Sequence, residues 1–467
     1  MSLPYGLDAW YPLTHGRLNA PQVLGENAPA SADEIREAWL RTPPGQALVI
    51  IDAVPAPQAK GMIRRLGRPS MAARMASELC AGGRVDRWHI APGTGGSHVL
   101  LPARRGGIEA GLPLLPAGRR RWRVARGGLL LAERLGLGEC AGFGELLVAA
   151  KERRPSLPAC QWIAERPSAI TPVSLGVPGL LRKATLRVCR SDGQVEGYLK
   201  LSMGDAARAR VSHEAETLER LGRTMAECGL APRLLDRGET LESAWLVQSP
   251  LTGQRSPDRL TDAHTAFLSK LAQHTATALP FSELGAMRAA RKHLDVLRTR
   301  VEPEWIRVIE DLIEAISSAL AGREIPCTLA HGDFTPWNLA LDGSHLAAFD
   351  WEFADWTAPA LSDLVHFHLQ TGILVRRVSA ATLLDELGEV LRGPALQLLT
   401  ERGLSYSDAL AYIGLEVLRA ATADEHLNSI ERPPFAQVKW LRDTRLELAQ
   451  LITGRLCRVP QHEERAA

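Results

Sequence analysis

Lysine is nearly missing from this sequence. Only seven stand among 467 residues (Lys60, Lys151, Lys183, Lys200, Lys270, Lys292 and Lys439), and arginine carries most of the positive charge. Lys and Arg together number 55 against 53 Asp and Glu, for a net charge of +2. So balanced a chain offers no electrostatic footprint for nucleic acid or an anionic membrane. The one basic run, GRRRWRVARGG (118–128), reads as a solvated face. Cysteine is sparse too: seven, widely scattered, with no C-x-x-C. That excludes a disulfide framework and a zinc site, and predicts reduced thiols in a cytoplasmic protein. Long apolar runs are absent. ALVIIDAVPAPQA is broken by Asp52, Pro55 and Pro57, so no membrane span is expected. The opening MSLPYGLDAWYP lacks the basic and apolar regions of a secretory leader.

What is present exceeds one ordinary core, and a chain of 467 residues predicts two or three domains. ALVIIDA (47–53) reads as a buried strand, 58–81 as helical, GGRVDRWHIAP as turn plus strand, and GSHVLLPA (96–103) as another strand. LLLAERLGL reads as a helix, and GELLVAAKE as a strand or a helix. The Pro-rich stretch RRPSLPACQWIAERPSAITP predicts a protease-sensitive boundary, so that 1–165 forms an N-terminal α/β domain and a fragment from about 166 folds by itself. TLRVCR and EGYLKLS flank SDGQV, whose Asp-Gly marks a hairpin. A helix follows over about 206–225, then two strands in APRLLDRGE and SAWLVQS. From 251 onward the pattern is mainly helical.

One stretch in the helical half carries chemistry: HGDFTPWNLALDGSHLAAFDWE, 331–352. Asp333 is a carboxylate in a loop, and Asn338 offers a neutral amide oxygen suited to Mg²⁺. LAAF is strand-like and ends at Asp350. The Asp342-Gly343 turn predicts a β-hairpin that brings Asn338 and Asp350 together, facing one cation.

H331-G-D-F-T-P-W-N338 followed by F349-D-W-E352 resembles the aminoglycoside phosphotransferase and choline kinase group, small-molecule kinases with the protein-kinase fold. The resemblance covers about 166–467. It implies a bilobal kinase-like domain, α+β, with an N-lobe over 166–250 and a helical C-lobe over 251–467, preceded by the smaller α/β domain. It implies ATP (or another NTP) and Mg²⁺ as cofactors, and a small-molecule alcohol as substrate: a sugar, an aminoglycoside, an amino alcohol or a polysaccharide precursor. Asp333 would be the catalytic residue, and Asn338 and Asp350 the metal ligands. Lys200, at the end of GYLK, would contact the phosphates, held by Glu214 in the following helix, with Glu216 as fallback partner. Asp363 resembles the aspartate that braces the catalytic loop, and a helix N-terminal carboxylate is its other reading.

The loop expected to cover the phosphates, within 174–188, has only Gly176 and Gly179 and no G-x-G-x-x-G. Arg182 and Lys183 stand beside it as substitutes. WLVQSPLTG (245–253) resembles the hinge whose backbone, from Gln248 to Leu251, would bind adenine. Trp337, Trp351 and Trp356 are candidates for stacking on a substrate, with packing expected for Trp337. Glu352 and Asp355 are open between substrate contacts and solvated acids. His366 and His368 read as ordinary helix histidines rather than ligands. Residues 1–165 are expected to be structural, or to bind a partner or a second copy. The alternative to an enzyme is a pseudokinase scaffold, which the poor glycine loop favours and the intact Asp333, Asn338, Asp350 and Lys200 oppose.

Overall fold

The structure is a computed structural model. It describes residues 22–24, 30–43, 47–52, 75, 84–92, 97–115, 120–135, 144–151, 162, 165–166, 169–177, 179–225, 228–239, 243–430 and 439–458. The helix expected over 58–81 therefore lies outside the described residues, apart from position 75. The chain divides into two compact units: Met1–Ala215 with Leu234–Pro250, and Glu216–Arg233 with Leu251–Ala467.

The first unit is built on one ten-stranded sheet. Its strands are β1 (Gln22–Leu24), β2 (Ala47–Asp52), β3 (Arg84–Pro92), β4 (His98–Pro102), β5 (Gly144–Ala150), β6 (Val173–Leu175), β7 (Lys183–Cys189), β8 (Val195–Ser202), β9 (Leu234–Glu239) and β10 (Ala244–Gln248). Their order is β1-β2-β5-β3-β4-β6-β7-β8-β10-β9. β1 and β2 run parallel, and every other neighbouring pair is antiparallel.

Both faces of β2 are buried, which is why ALVIID reads as a continuous apolar run rather than an alternating one. Val49 and Ile51 join a cluster with Trp88, Leu100, Leu146, Val173, Leu186, Leu199 and Val247. Leu48 and Ile50 face the other way, onto Ile35, Ala38 and Trp39 of the Ala32–Arg41 helix. The ambiguous GELLVAAKE segment is the strand β5. The Asp-Gly hairpin is β7–β8, in register from Lys183↔Ser202 to Val188↔Gly197.

The boundary expected at 165 falls inside this unit. β4 pairs with β6 through His98↔Leu175 and Leu100↔Val173. Arg187 donates to the Ala110 carbonyl (2.5 Å), and Arg104 to that of Ala169. Proline-rich composition gives a local reason to place a linker, but strand pairing is a long-range event that composition does not report. The described N-terminal strands therefore complete the same sheet as the strands beyond 166.

The second unit is mainly helical. Its helices include Asp262–Thr275, Gly285–Leu297, Pro303–Leu320, Ser362–Gln370, Ala380–Arg392, Tyr406–Ile430 and Lys439–Leu456. Two small sheets sit among them, of which only one hairpin was expected from the sequence. One joins β11 (Gln254–Arg255), β14 (Leu339–Asp342) and β15 (His345–Ala348). The other joins β12 (Thr277–Pro280), β13 (Glu324–Ala330) and β16 (Asp355–Pro359). Apart from β13, these strands of two to five residues give too short a pattern to separate from loops. No helix among the described residues is long and apolar enough to cross a membrane.

Candidate active site

The loop from His331 to Asn338 leaves β13 and enters the β14–β15 hairpin, and its shape is fixed by buried contacts on both sides. Asp363, in the first turn of the Ser362–Gln370 helix, is 4 % exposed. Its two oxygens accept from the His331 N–H (2.6 Å) and the Gly332 N–H (3.0 Å). It is thus a loop brace and a helix N-terminal carboxylate together. Burial pushes its carboxyl up, against the pull of His331, the two backbone donors and His366. His331 itself is fully buried; its Nε2 lies 2.8 Å from the Phe349 carbonyl, and its Nδ1 accepts from the Asp333 N–H. Phe334 is also fully buried and stacks on Phe267, with ring centroids 5.2 Å apart.

Gly332 has a physical reason in the motif. Its φ is +82°, and a Cβ there would lie 2.1 Å from the Phe353 carbonyl oxygen. Gly332→Ala is expected to cost about 1–3 kcal/mol from backbone strain alone, with the clash in addition. A denaturation midpoint within error of wild type would contradict this account of the loop.

These anchors leave Asp333 at the front. Asn338, 6 % exposed, donates Nδ2 to Asp333 Oδ2 (2.8 Å) and to the Asp333 carbonyl (3.0 Å). The hairpin forms as expected, with Leu339↔Ala348 and Asp342↔His345 paired. The Phe349 N–H donates to the Asn338 carbonyl (3.0 Å), so Asn338 and Asp350 stand at the same open end. Asp350 adopts a left-handed conformation, φ 69° and ψ 53°, uncommon for a residue with a side chain. Such strain persists where the surroundings enforce it and clusters at functional sites.

The donor set fits a hard cation. Asn338 turns its amide NH₂ to Asp333, which leaves the amide oxygen for a metal, and a carboxylate follows at Asp350. Among the described residues no group of three or more His, Cys, Asp and Glu gathers as a metal cluster, so the site rests on this amide–carboxylate pair.

Behind Asp333 lies a buried charge network that the sequence reading missed. His366 Nε2 lies 3.2 Å from Asp333 Oδ1, and its Nδ1 lies 2.8 Å from Glu416 Oε1. Arg419 binds Glu416 through Nε (2.8 Å) and Nη2 (2.6 Å) and also donates to the Gly332 carbonyl (3.3 Å). Glu416 is 1 % exposed. Burial opposes its charge most, yet Arg419 and His366 bring its pKa down to about 2. For His366, burial likewise opposes the charged form. Hydrogen bonds to Asp333 and Glu416, with the charge of Glu416, outweigh burial and the nearby Arg419, and the pKa rises to about 9. Each ring nitrogen thus faces a carboxylate oxygen, which favours the protonated ring, while Arg419 Nη2 lies 3.1 Å from Nδ1.

Because the folded value exceeds the ordinary histidine value of 6.5, the stabilising contribution of His366 is full below pH 6.5 and lost as pH rises through about 9. The shift is worth on the order of 3 kcal/mol. Urea midpoints measured between pH 6.5 and 9.5 are expected to fall more steeply in wild type than in His366→Gln. Equal slopes would contradict the assignment.

The remaining expectations divide. In the first unit, Lys200 and Glu214 are both buried and form an ion pair, whereas Glu216 is exposed. Lys183 starts β7 beside the loop whose Gly176 N–H donates to the Lys183 carbonyl (3.0 Å). Arg182 Nε donates to the Gly176 carbonyl (3.1 Å), which ties it to that loop. Gln248 closes β10 and is 4 % exposed, and the chain passes into the second unit between Pro250 and Leu251. Trp337, expected to pack, is instead 36 % exposed, while Trp351 is fully buried with its indole N–H on the Ala348 carbonyl (2.8 Å). The Arg255 guanidinium lies 5.9 Å from the centroid of the Trp337 ring. Trp356 carries the Arg220 guanidinium 3.4 Å from its ring centroid. Asp355 accepts from the Thr357 N–H and hydroxyl (both 2.9 Å), which makes it a turn-forming residue. His368 is neutral, its pKa lowered to about 4 by burial and by Arg376.

Residues 198–389 match the family model of the phosphotransferase enzyme family. The match bears out the resemblance read from the H-G-D and D-W-E motifs. No curated protein matches the chain. Similar solved structures include a thermostable mutant of aminoglycoside phosphotransferase APH(4)-Ia in a ternary complex with ADP and hygromycin B. It is 14 % identical, with 64 % of this chain and 99 % of that one covered at a TM-score of 0.44. Aminoglycoside phosphotransferase APH(3'')-Id from Streptomyces rimosus, in complex with ADP and streptomycin, is 15 % identical over 50 % of this chain and 90 % of that one, at 0.33. Choline kinase LicA from Streptococcus pneumoniae is 12 % identical over 58 % of this chain and 89 % of that one, at 0.39.

Proposed function

We propose that this protein is an ATP- and Mg²⁺-dependent phosphotransferase that phosphorylates a hydroxyl group of a small molecule. The observation that carries the reading is the buried Asn338 side chain, which donates to Asp333 while its backbone carbonyl accepts from Phe349, the neighbour of Asp350. In this reading Asp333 orients the acceptor hydroxyl and takes its proton. Asn338 and Asp350 would hold Mg²⁺, which when bound would supply positive charge against the negative charge developing in transfer. Lys200, kept in place by Glu214, contacts the phosphates, with Lys183 as a further cation. The backbone from Gln248 to Leu251 receives the base.

The acceptor is an alcohol of the sugar, aminoglycoside, amino-alcohol or polysaccharide-precursor kind. Phosphoryl transfer asks for positioning and charge stabilisation more than covalent chemistry, and these residues supply both. A thermal-shift assay tests nucleotide binding. Ligand at 100 times its Kd stabilises the folded state by about 2.7 kcal/mol, so the midpoint should rise in millimolar Mg·ATP. No rise would favour a scaffold without catalysis. ADP release over a panel of alcohols then identifies the acceptor.

A further inference from the structure

We infer that His366 is a positioning residue that holds the Asp333 carboxylate in its reactive orientation, and that Glu416 and Arg419 lock it there; the inference rests on the phosphotransferase reading. Four observations on the geometry carry it. Both Asp333 oxygens are engaged, Oδ2 by Asn338 Nδ2 at 2.8 Å and Oδ1 by His366 Nε2 at 3.2 Å. The carboxylate is thereby fixed about its side-chain torsions from two directions. His366 is buried, and its second nitrogen is held by Glu416, so the ring cannot turn without breaking that contact. Arg419 joins the Glu416 carboxylate to the Gly332 carbonyl, which couples the network to the backbone just before Asp333.

The charged groups facing His366 are three anions and one cation. Asp333 comes from the loop, Glu416 and Arg419 from the Tyr406–Ile430 helix, and Asp363 from its own helix. An imidazolium already holding both protons cannot receive one from the acceptor. Its role is to keep Asp333 anionic and aimed, so that proton acceptance stays with Asp333.

Two measurements on the full chain test this. In the first, histidine ¹⁵N resonances are followed through a pH titration of wild type and of Asp333→Asn. His366 is expected to stay protonated well above neutrality in wild type, and to lose its proton at lower pH when Asp333 is neutralised. An unchanged His366 midpoint would overturn the pairing, whatever the enzyme phosphorylates. In the second, ADP release from Mg·ATP is compared for wild type, His366→Gln and Glu416→Gln. The expected result is a fall in kcat on the order of tenfold to 100-fold with KM for ATP unchanged, by analogy with loss of an outer-shell partner. His366→Gln keeps one amide donor for Asp333 and should retain more activity than His366→Phe. Equal activity of the Gln and Phe variants, or kcat within twofold of wild type, would overturn the positioning role. Absence of ADP release in wild type would instead remove the phosphotransferase reading, and the titration alone would then decide the pairing.

Discussion

Asp333→Asn is expected to cut turnover on the order of 10²-fold or more while leaving Mg²⁺-dependent nucleotide affinity intact. The substitution keeps the side-chain shape but removes the charge that orients and deprotonates the acceptor. Asp350→Asn is expected to fail differently. It removes a charged ligand from the hairpin end, so nucleotide binding and turnover should weaken together. The contrast is the test, because both variants alter an aspartate in the same unit by the same chemistry. Calorimetry of ATP binding with and without Mg²⁺ reads it directly. Near-wild-type turnover of Asp333→Asn with the true acceptor would show that the H-G-D loop is structural.

A fragment beginning at residue 166 is expected not to fold stably, contrary to what the proline-rich stretch suggests. It would lose β1 to β5 from the ten-stranded sheet and leave β6 as an unpaired edge. Val173, Leu175 and Leu186 would lose the neighbours Val49, Ile51, Trp88, Ile90, Leu100, Leu146 and Val148 from their cluster. Each large apolar side chain left exposed forfeits about 1.5–3 kcal/mol, and a few such losses match the whole stability of a typical domain. An exposed apolar edge also invites aggregation. A soluble fragment with a cooperative melt near that of the full chain would refute the shared core.

The parts of the site that were legible in sequence are those fixed by short-range geometry. The Asp342-Gly343 turn sets the hairpin, and the hairpin sets Asn338 against Asp350. Lys200 and Glu214 lie fourteen residues apart, on a strand and the helix that follows it, so their meeting follows from local order. His366 was not legible, because its partners lie 33 residues before it and 50 after it. A signal was present all the same: Glu416 and Arg419 interrupt the otherwise apolar stretch AYIGLEVLRAA, and a buried charge such as Glu416 calls for a partner. The shared sheet was illegible for the same reason on a larger scale. Nothing in HVLLP or VSL alone shows which strand lies beside it.

The discontinuity of the first unit bears on how the chain is made. β8 ends at Ser202, but its outer neighbour β10 starts only at Ala244, after a helix and the connecting residues. At a synthesis rate of about 5–20 residues per second, β8 emerges from the ribosome some 2–8 s before the strand that covers its edge. During that interval Leu199 and Leu201 have one flank open, with the strands of 22–150 already available for pairing on the other side of the sheet. The order of emergence therefore makes residues 234–250 the step that closes the unit, and rare codons placed between 203 and 243 would lengthen the exposure and lower the yield of soluble protein.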